Sequence, residues 1–160
     1  MRNRRSRVLT ALLWCAALGW IAVLFFFSGQ SAEQSGSLSL LVTEFVLKLF
    51  PSLPFTVEQL HPFLRKLAHF TIFGLEGFLL ALAVRRSYNR KWIGGMLSLG
   101  SCALLAVLNE YHQSFSAGRS CELRDMLIDT AGALTGIFFA LLVRRIRKYI
   151  ARRRVNVIIS

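Results

Sequence analysis

The sequence predicts an all-α, multi-pass membrane protein: four transmembrane helices with an outer amphipathic helix. Three observations lead there. Of 160 residues, 54% are hydrophobic and only 18% charged, with mean hydropathy +0.51, where ordinary soluble domains are about 45 to 50% apolar and about 25% charged. Four stretches are long and apolar enough to cross a hydrocarbon core of about 30 Å, which takes roughly 20 helical residues. The net charge of +12 is carried mostly at the ends of those stretches. In lipid such runs must be helical, because an open sheet would leave backbone N–H and C=O groups unpaired. The length suits a single domain, residues 1–160. Disorder, a disulfide scaffold and a collagen-like chain are excluded by the apolar content, by three Cys, and by the absence of a Gly period.

The first span, about 8–27, holds no charge and ends in Phe25, Phe26 and Phe27, with Trp20 before them, the composition of an interfacial exit. Its apolar core is longer than the roughly 7 to 15 residues of a signal peptide, and Phe27 to Ala32 lacks a small-x-small site, so it is expected to remain as an anchor. Ser28 to Gly36 is small and polar and reads as loop. Leu38, Leu41, Val42, Phe45, Val46 and Leu49 then recur at helical spacing, with Ser39, Thr43, Glu44 and Lys48 elsewhere on the wheel. Pro51 ends that segment, which at about a dozen residues is too short to span and is expected on the outer surface or capping the bundle. Thr56 with Gln59 has the spacing of a capping box, and Pro62 suits an early helical position. The second span follows at about 67–84, the third at about 92–108, and the fourth at about 126–143 before a basic tail over 144–160.

Charge sets the orientation. Arg2, Arg4, Arg5 and Arg7 precede the first span, Arg85, Arg86, Arg90 and Lys91 join the second to the third, and seven further basic residues from Arg144 to Arg154 follow the fourth. Fifteen of the twenty Lys and Arg, and none of the acids, therefore share one face. The positive-inside rule makes that face, with both termini, cytoplasmic. Charge thus reports topology, and no nucleic-acid partner is expected. Cys15 and Cys102 fall in helices and Cys121 in an outer loop, so no outer disulfide within the chain is expected.

Polar residues inside the spans carry the functional signal. Lys66, His69 and Glu76 lie three and seven residues apart, on one helical stripe, with Glu76 about 15 Å deeper than Lys66. An acid at that depth costs about 2.5 to 3.5 kcal/mol on insertion scales and should face the bundle interior. Asn109, Glu110 and Gln113 can share one face of the third helix's extension. Asp125 and Asp129 share a face at the outer end of the fourth, continued by Gly132 and Gly136. That Gly-x-x-x-Gly pair serves helix packing, either within the bundle or between copies in a homo-oligomer. Arg119, in an outer loop, is expected to pair with Asp125 or Glu110. His61 and His112 read as exposed loop residues, Gln30 as a loop hydrogen-bonder, and Trp14, Trp20 and Trp92 as lipid or interface anchors.

These segments resemble the VanZ-like family of small bacterial membrane proteins, named from a protein linked to teicoplanin resistance. The resemblance rests on Phe27-Ser-Gly-Gln-Ser31; on Arg65-Lys-Leu-Ala-His69-Phe with Phe73-Gly74 and Glu76; and on Asn109-Glu110, Gln113, Gly118-Arg119, Asp125 and Gly132. One departure is Asp129, where the family pattern commonly has Asn. What the resemblance implies is a multi-pass envelope protein.

The leading functional expectation is an outward-facing polar pocket, built from Lys66, His69, Glu76, Asn109, Glu110, Gln113, Arg119, Asp125 and Asp129, that binds an amphiphile's head group. The ligand class is an envelope lipid, a lipid-linked wall component or a lipoglycopeptide, since cations hold phosphate or carboxylate and acids and amides accept from sugar hydroxyls. The alternative is an intramembrane hydrolase or transferase with His69 or Glu110 as base and Asp125 or Glu76 as acid. No G-x-S-x-G, S-x-x-K or H-E-x-x-H motif is present, and the His at 61, 69 and 112 lack metal-ligand spacing, so neither metal nor cofactor is expected. A transporter is disfavoured because four helices contain no inverted repeat.

Overall fold

A computed structural model describes the backbone of residues 4–88 and 91–159 and the side chains of 4–88 and 92–152. The predicted basic positions Arg2 and Arg90 lie outside the described residues, and Lys91, Arg153 and Arg154 outside the described side chains. Five helices follow one another: α1 Arg4–Ser28, α2 Ala32–Leu49, α3 Val57–Ser87, α4 Lys91–Gln113 and α5 Leu123–Ile159. All but α2 contain stretches long and apolar enough to cross a membrane. Each runs beyond its predicted span, because hydropathy marks the lipid-facing part of a helix whereas propensity sets its ends. The clearest case is α5: Arg and Lys are good helix formers, so the expected basic tail continues the helix, 37 residues in all and about 55 Å long.

The closest packing is backbone on backbone between α3 and α5. A Cβ added to Gly132 would collide with the Phe70 carbonyl, one on Gly136 with the Gly74 carbonyl, and one on Gly77 with the Ala133 carbonyl. The close approach offered by Gly132 and Gly136 is thus satisfied inside the chain by a matching small stripe on α3. Around this pair, α1 leans on α3: Trp20 Nε1 donates to the Ile72 carbonyl at 3.0 Å and Trp14 Nε1 to Ser87 Oγ at 2.9 Å. These two Trp therefore lock helices together, while Trp92, 86% exposed, has the exposure expected of an anchor. Arg86 reaches Ser6 and Thr10, so α1 and α3 run in opposite directions and the described basic ends gather on one side. Ala17, Leu24, Phe73, Leu80, Val84, Cys102, Ala106 and Ala133 form the core. Leu18, Phe26, Leu104 and Phe138 point outward, as a lipid-facing belt does.

The helix α2 begins six residues before the predicted segment. Ser31 Oγ accepts from the Gln34 N–H and Gln34 Oε1 accepts from the Ser31 N–H, a reciprocal cap that lets a small, polar stretch start a helix. Its end at Leu49, ahead of Pro51, matches the expectation. Its orientation is inverted relative to a soluble helix: Ser39 and buried Thr43 face inward, and Leu41, Phe45 and Leu49 are exposed, the side an interfacial helix offers to lipid. Ser39 Oγ and His61 Nε2 meet at 2.7 Å, fastening α2 to the start of α3. There the Thr56 N–H donates to Gln59 Oε1 at 3.2 Å. His61 is therefore a half-buried helix-pairing residue, not a free loop residue.

Candidate functional site

The polar residues gather at the end of the bundle opposite the basic termini, where α1 and α4 finish and α5 begins. Ser28 is the hub. Its hydroxyl donates to the Asn109 carbonyl at 3.0 Å and meets His112 Nδ1 at 3.3 Å. Its carbonyl accepts from Ser116 Oγ and from Arg119 Nη1. His112 also stands edge-on to Phe25, with ring centroids 5.4 Å apart, so it too is a packed helix residue rather than an exposed loop one. The loop after α4 turns through Gly118, whose φ of 73° is left-handed. A side chain is strained in that conformation, and a Cβ would also press on Ala32 at 3.1 Å. The turn sends Arg119 back toward the bundle.

Arg119 Nη1 donates to Gln113 Oε1 at 2.7 Å. The expected ion pair of Arg119 with Asp125 or Glu110 is not formed among the described residues, because both acids are held elsewhere. Asp125 pairs with Lys66, whose Nζ also lies 4.0 Å from Glu122. Glu110 accepts from Gln113 Nε2 at 3.2 Å and from the Glu122 N–H at 3.1 Å. Gln113 thereby bridges cation and acid, which its amide can do because it carries both donor and acceptor. Burial and nearby Arg65 pull the Arg119 guanidinium below its ordinary value, with Glu110 and Asp125 acting the other way; arginine stays charged regardless.

A cavity of about 260 Å³ opens beside these groups. Leu24, Phe27, Leu38, Val42, Ile72 and Phe73 form its apolar walls, and Gln30, Arg65, His69, Asn109, Gln113 and Arg119 its polar end. Asn109 Oδ1 and Arg119 Nε are buried without a hydrogen-bond partner among the described residues, one acceptor and one donor at that end. Of the nine predicted site residues, four line the cavity: His69, Asn109, Gln113 and Arg119. Lys66, Glu110, Asp125 and Asp129 form the polar layer behind it, where His69 Nδ1 lies 3.2 Å from Asp129 Oδ1. Glu76 is set apart: it is fully buried, neither oxygen has a hydrogen-bond partner among the described residues, and it does not line the cavity.

Sequence reasoning missed Ser28, Arg65 and the α2 wall as parts of the site. Ser28 and Arg65 stand inside the quoted segments Phe27–Ser31 and Arg65–Phe70, which is the signal that could have found them. It also looked for metal ligands along the chain, whereas His69, Glu110 and Asp129 converge in space from three helices.

A family model described as VanZ/LLP1 matches residues 13–144. The chain belongs to the VanZ/LLP1 family. The match runs from within α1 to the end of the apolar part of α5, so it contains every residue of the cavity. With four apolar helices, family membership makes this a multi-pass membrane protein of VanZ type. No curated protein and no solved structure matches the chain.

Proposed function

We propose that this VanZ/LLP1 chain binds an amphiphile in the bacterial cell membrane, with the anionic head between Arg65 and Arg119 and the apolar part against α2 and α3. The observation that carries the reading is the cavity's division into apolar walls and a cationic end where Arg119 Nε and Asn109 Oδ1 lack partners. Charge-assisted bonds from guanidinium to phosphate or carboxylate are roughly twice as strong as neutral ones, and a buried donor left unpaired costs about 1 to 3 kcal/mol. An anionic oxygen of the head satisfies the Arg119 donor, and a hydroxyl of the head can donate to Asn109 Oδ1. The cavity has room for a head group and its first methylenes, leaving the tail to lipid. By the positive-inside rule both termini are cytoplasmic and the cavity opens toward the outer leaflet, where lipids, lipid-linked wall components and lipoglycopeptides are met. Contribution to glycopeptide resistance would follow from holding such a molecule.

The test is binding of a fluorescent anionic lipid, phosphatidylglycerol, to the full chain in detergent, with phosphatidylcholine as the neutral control. Preference for the anion, weakened roughly tenfold in Arg119→Ala, is expected from the loss of one charge-assisted contact. Equal binding of the two lipids, or binding unchanged in both Arg119→Ala and His69→Ala, would overturn the reading.

The second reading, an intramembrane hydrolase or transferase, draws support from the 3.2 Å contact of His69 with Asp129, since a carboxylate can orient an imidazole base. Turnover of a lipid-linked substrate by purified protein, abolished in Glu110→Gln, is the result that would put it first.

A further inference from the structure

His69 on α3, Glu110 on α4 and Asp129 on α5 each present a ligand atom within 4.8 Å of the other two. Ligands held by one ion at about 2.0 to 2.4 Å can be no more than about 4.8 Å apart, and all three pairs meet that limit. The 3.2 Å from His69 Nδ1 to Asp129 Oδ1 is close to the edge of a tetrahedron around an ion bound at about 2.0 to 2.1 Å. A second observation points the same way. Asp129 is fully buried, and its Oδ2 has no hydrogen-bond partner among the described residues. Glu110 is fully buried as well, while Lys66, the neighbouring cation, is engaged by Asp125. Two carboxylates, neither ion-paired to a Lys or Arg among the described residues, beside an imidazole are what a divalent cation neutralises.

We infer that His69, Glu110 and Asp129 form a binding site for a divalent cation that accepts mixed nitrogen and oxygen ligands, of the Zn²⁺ and Mn²⁺ class. One imidazole with two carboxylates suits these ions, whereas Ca²⁺ takes six to eight oxygens. His69 also lines the head-group cavity, so the ion would stand at its edge without depending on a bound amphiphile.

The experiment uses the untagged full chain in detergent, stripped with a chelator, dialysed against Zn²⁺ and desalted, with metal counted by mass spectrometry. One Zn²⁺ per chain is expected. Asp129→Asn and Glu110→Gln should weaken retention by roughly tenfold or more, while Glu122→Gln, at an exposed acid, should leave it unchanged. Mn²⁺ bound to the unaltered chain should show coupling to an imidazole nitrogen in pulsed electron paramagnetic resonance. That measurement decides the matter even where a variant fails to fold. No Zn²⁺ retained by the unaltered chain, retention undiminished in both folded variants, or Mn²⁺ without nitrogen coupling would overturn the inference.

Discussion

Lys66 and Asp125 show how one residue's role depends on what it leaves behind. Asp125 is almost fully buried, and its side chain is tied to Lys66, itself about one-third exposed. Removing Lys66 strands a carboxylate, so Lys66→Met is expected to destabilise the chain by roughly 1 to 3 kcal/mol, below the 3 to 5 of a fully buried pair. Adding Asp125→Leu to it should restore much of the loss. A double-mutant cycle followed by thermal unfolding in detergent measures this, and additive effects would refute a coupled pair. Arg119→Lys should retain only part of the anionic-lipid binding, because a Lys ammonium keeps the charge but lacks the planar fork that spans Gln113 and the Ser28 carbonyl. At this scale the sequence was informative about which side chains turn inward: helical spacing on an apolar background picks out Glu76 and Asp129. Pairing was not legible. That Arg119 meets Gln113 and not an acid depends on the Gly118 turn and on Lys66 having already engaged Asp125, and neither is a property of spacing.

Among the helices, the α3 and α5 pair tolerates the least change. Gly136→Leu places a side chain where the Gly74 carbonyl lies and, because backbone must move, should cost about 3 kcal/mol or more. Gly100→Ala meets nothing nearby and should stay within about 1 kcal/mol of the parent. Unfolding of the two variants in detergent checks both, and equal losses would show that the close approach is not what holds the bundle. Ser31→Ala removes the reciprocal cap of α2 and should lower stability by about 1 kcal/mol. The four spans were legible because hydropathy over some twenty residues is a long, redundant signal. The start of α2 was not read, since Ser28 to Gly36 has loop composition and its helix depends on one Ser31–Gln34 exchange. Nor was α3's half of the small-residue seam, Gly74 and Gly77, because a groove has meaning only once its partner is known.

For the molecule as a whole, the basic helix ends around Arg4 to Arg7, Arg85 to Arg86 and Arg144 to Arg152 lie opposite the polar site, which turns orientation into a measurable property. Reporters active only in the cytoplasm should work at either terminus, and Cys121, exposed in the loop before α5, should react with a membrane-impermeant maleimide on intact cells. A terminus outside the cell would invert the proposed exposure of the cavity. The bundle is also unevenly fastened. The wall made by α3 rests backbone to backbone on α5, whereas among the described residues the wall made by α2 is tied to α3 by one side-chain bond, from Ser39 to His61, and to the Gly118 turn by the Ala32 N–H. Bulk forced between unequal walls displaces the looser one, so a guest with a wide second substituent would swing α2 outward like a leaf on its stalk. Under the proposed binding, selectivity for slender over branched guests would be set by how far that helix can travel, and joining cysteines at positions 39 and 61 with a short bifunctional thiol reagent should narrow the range admitted.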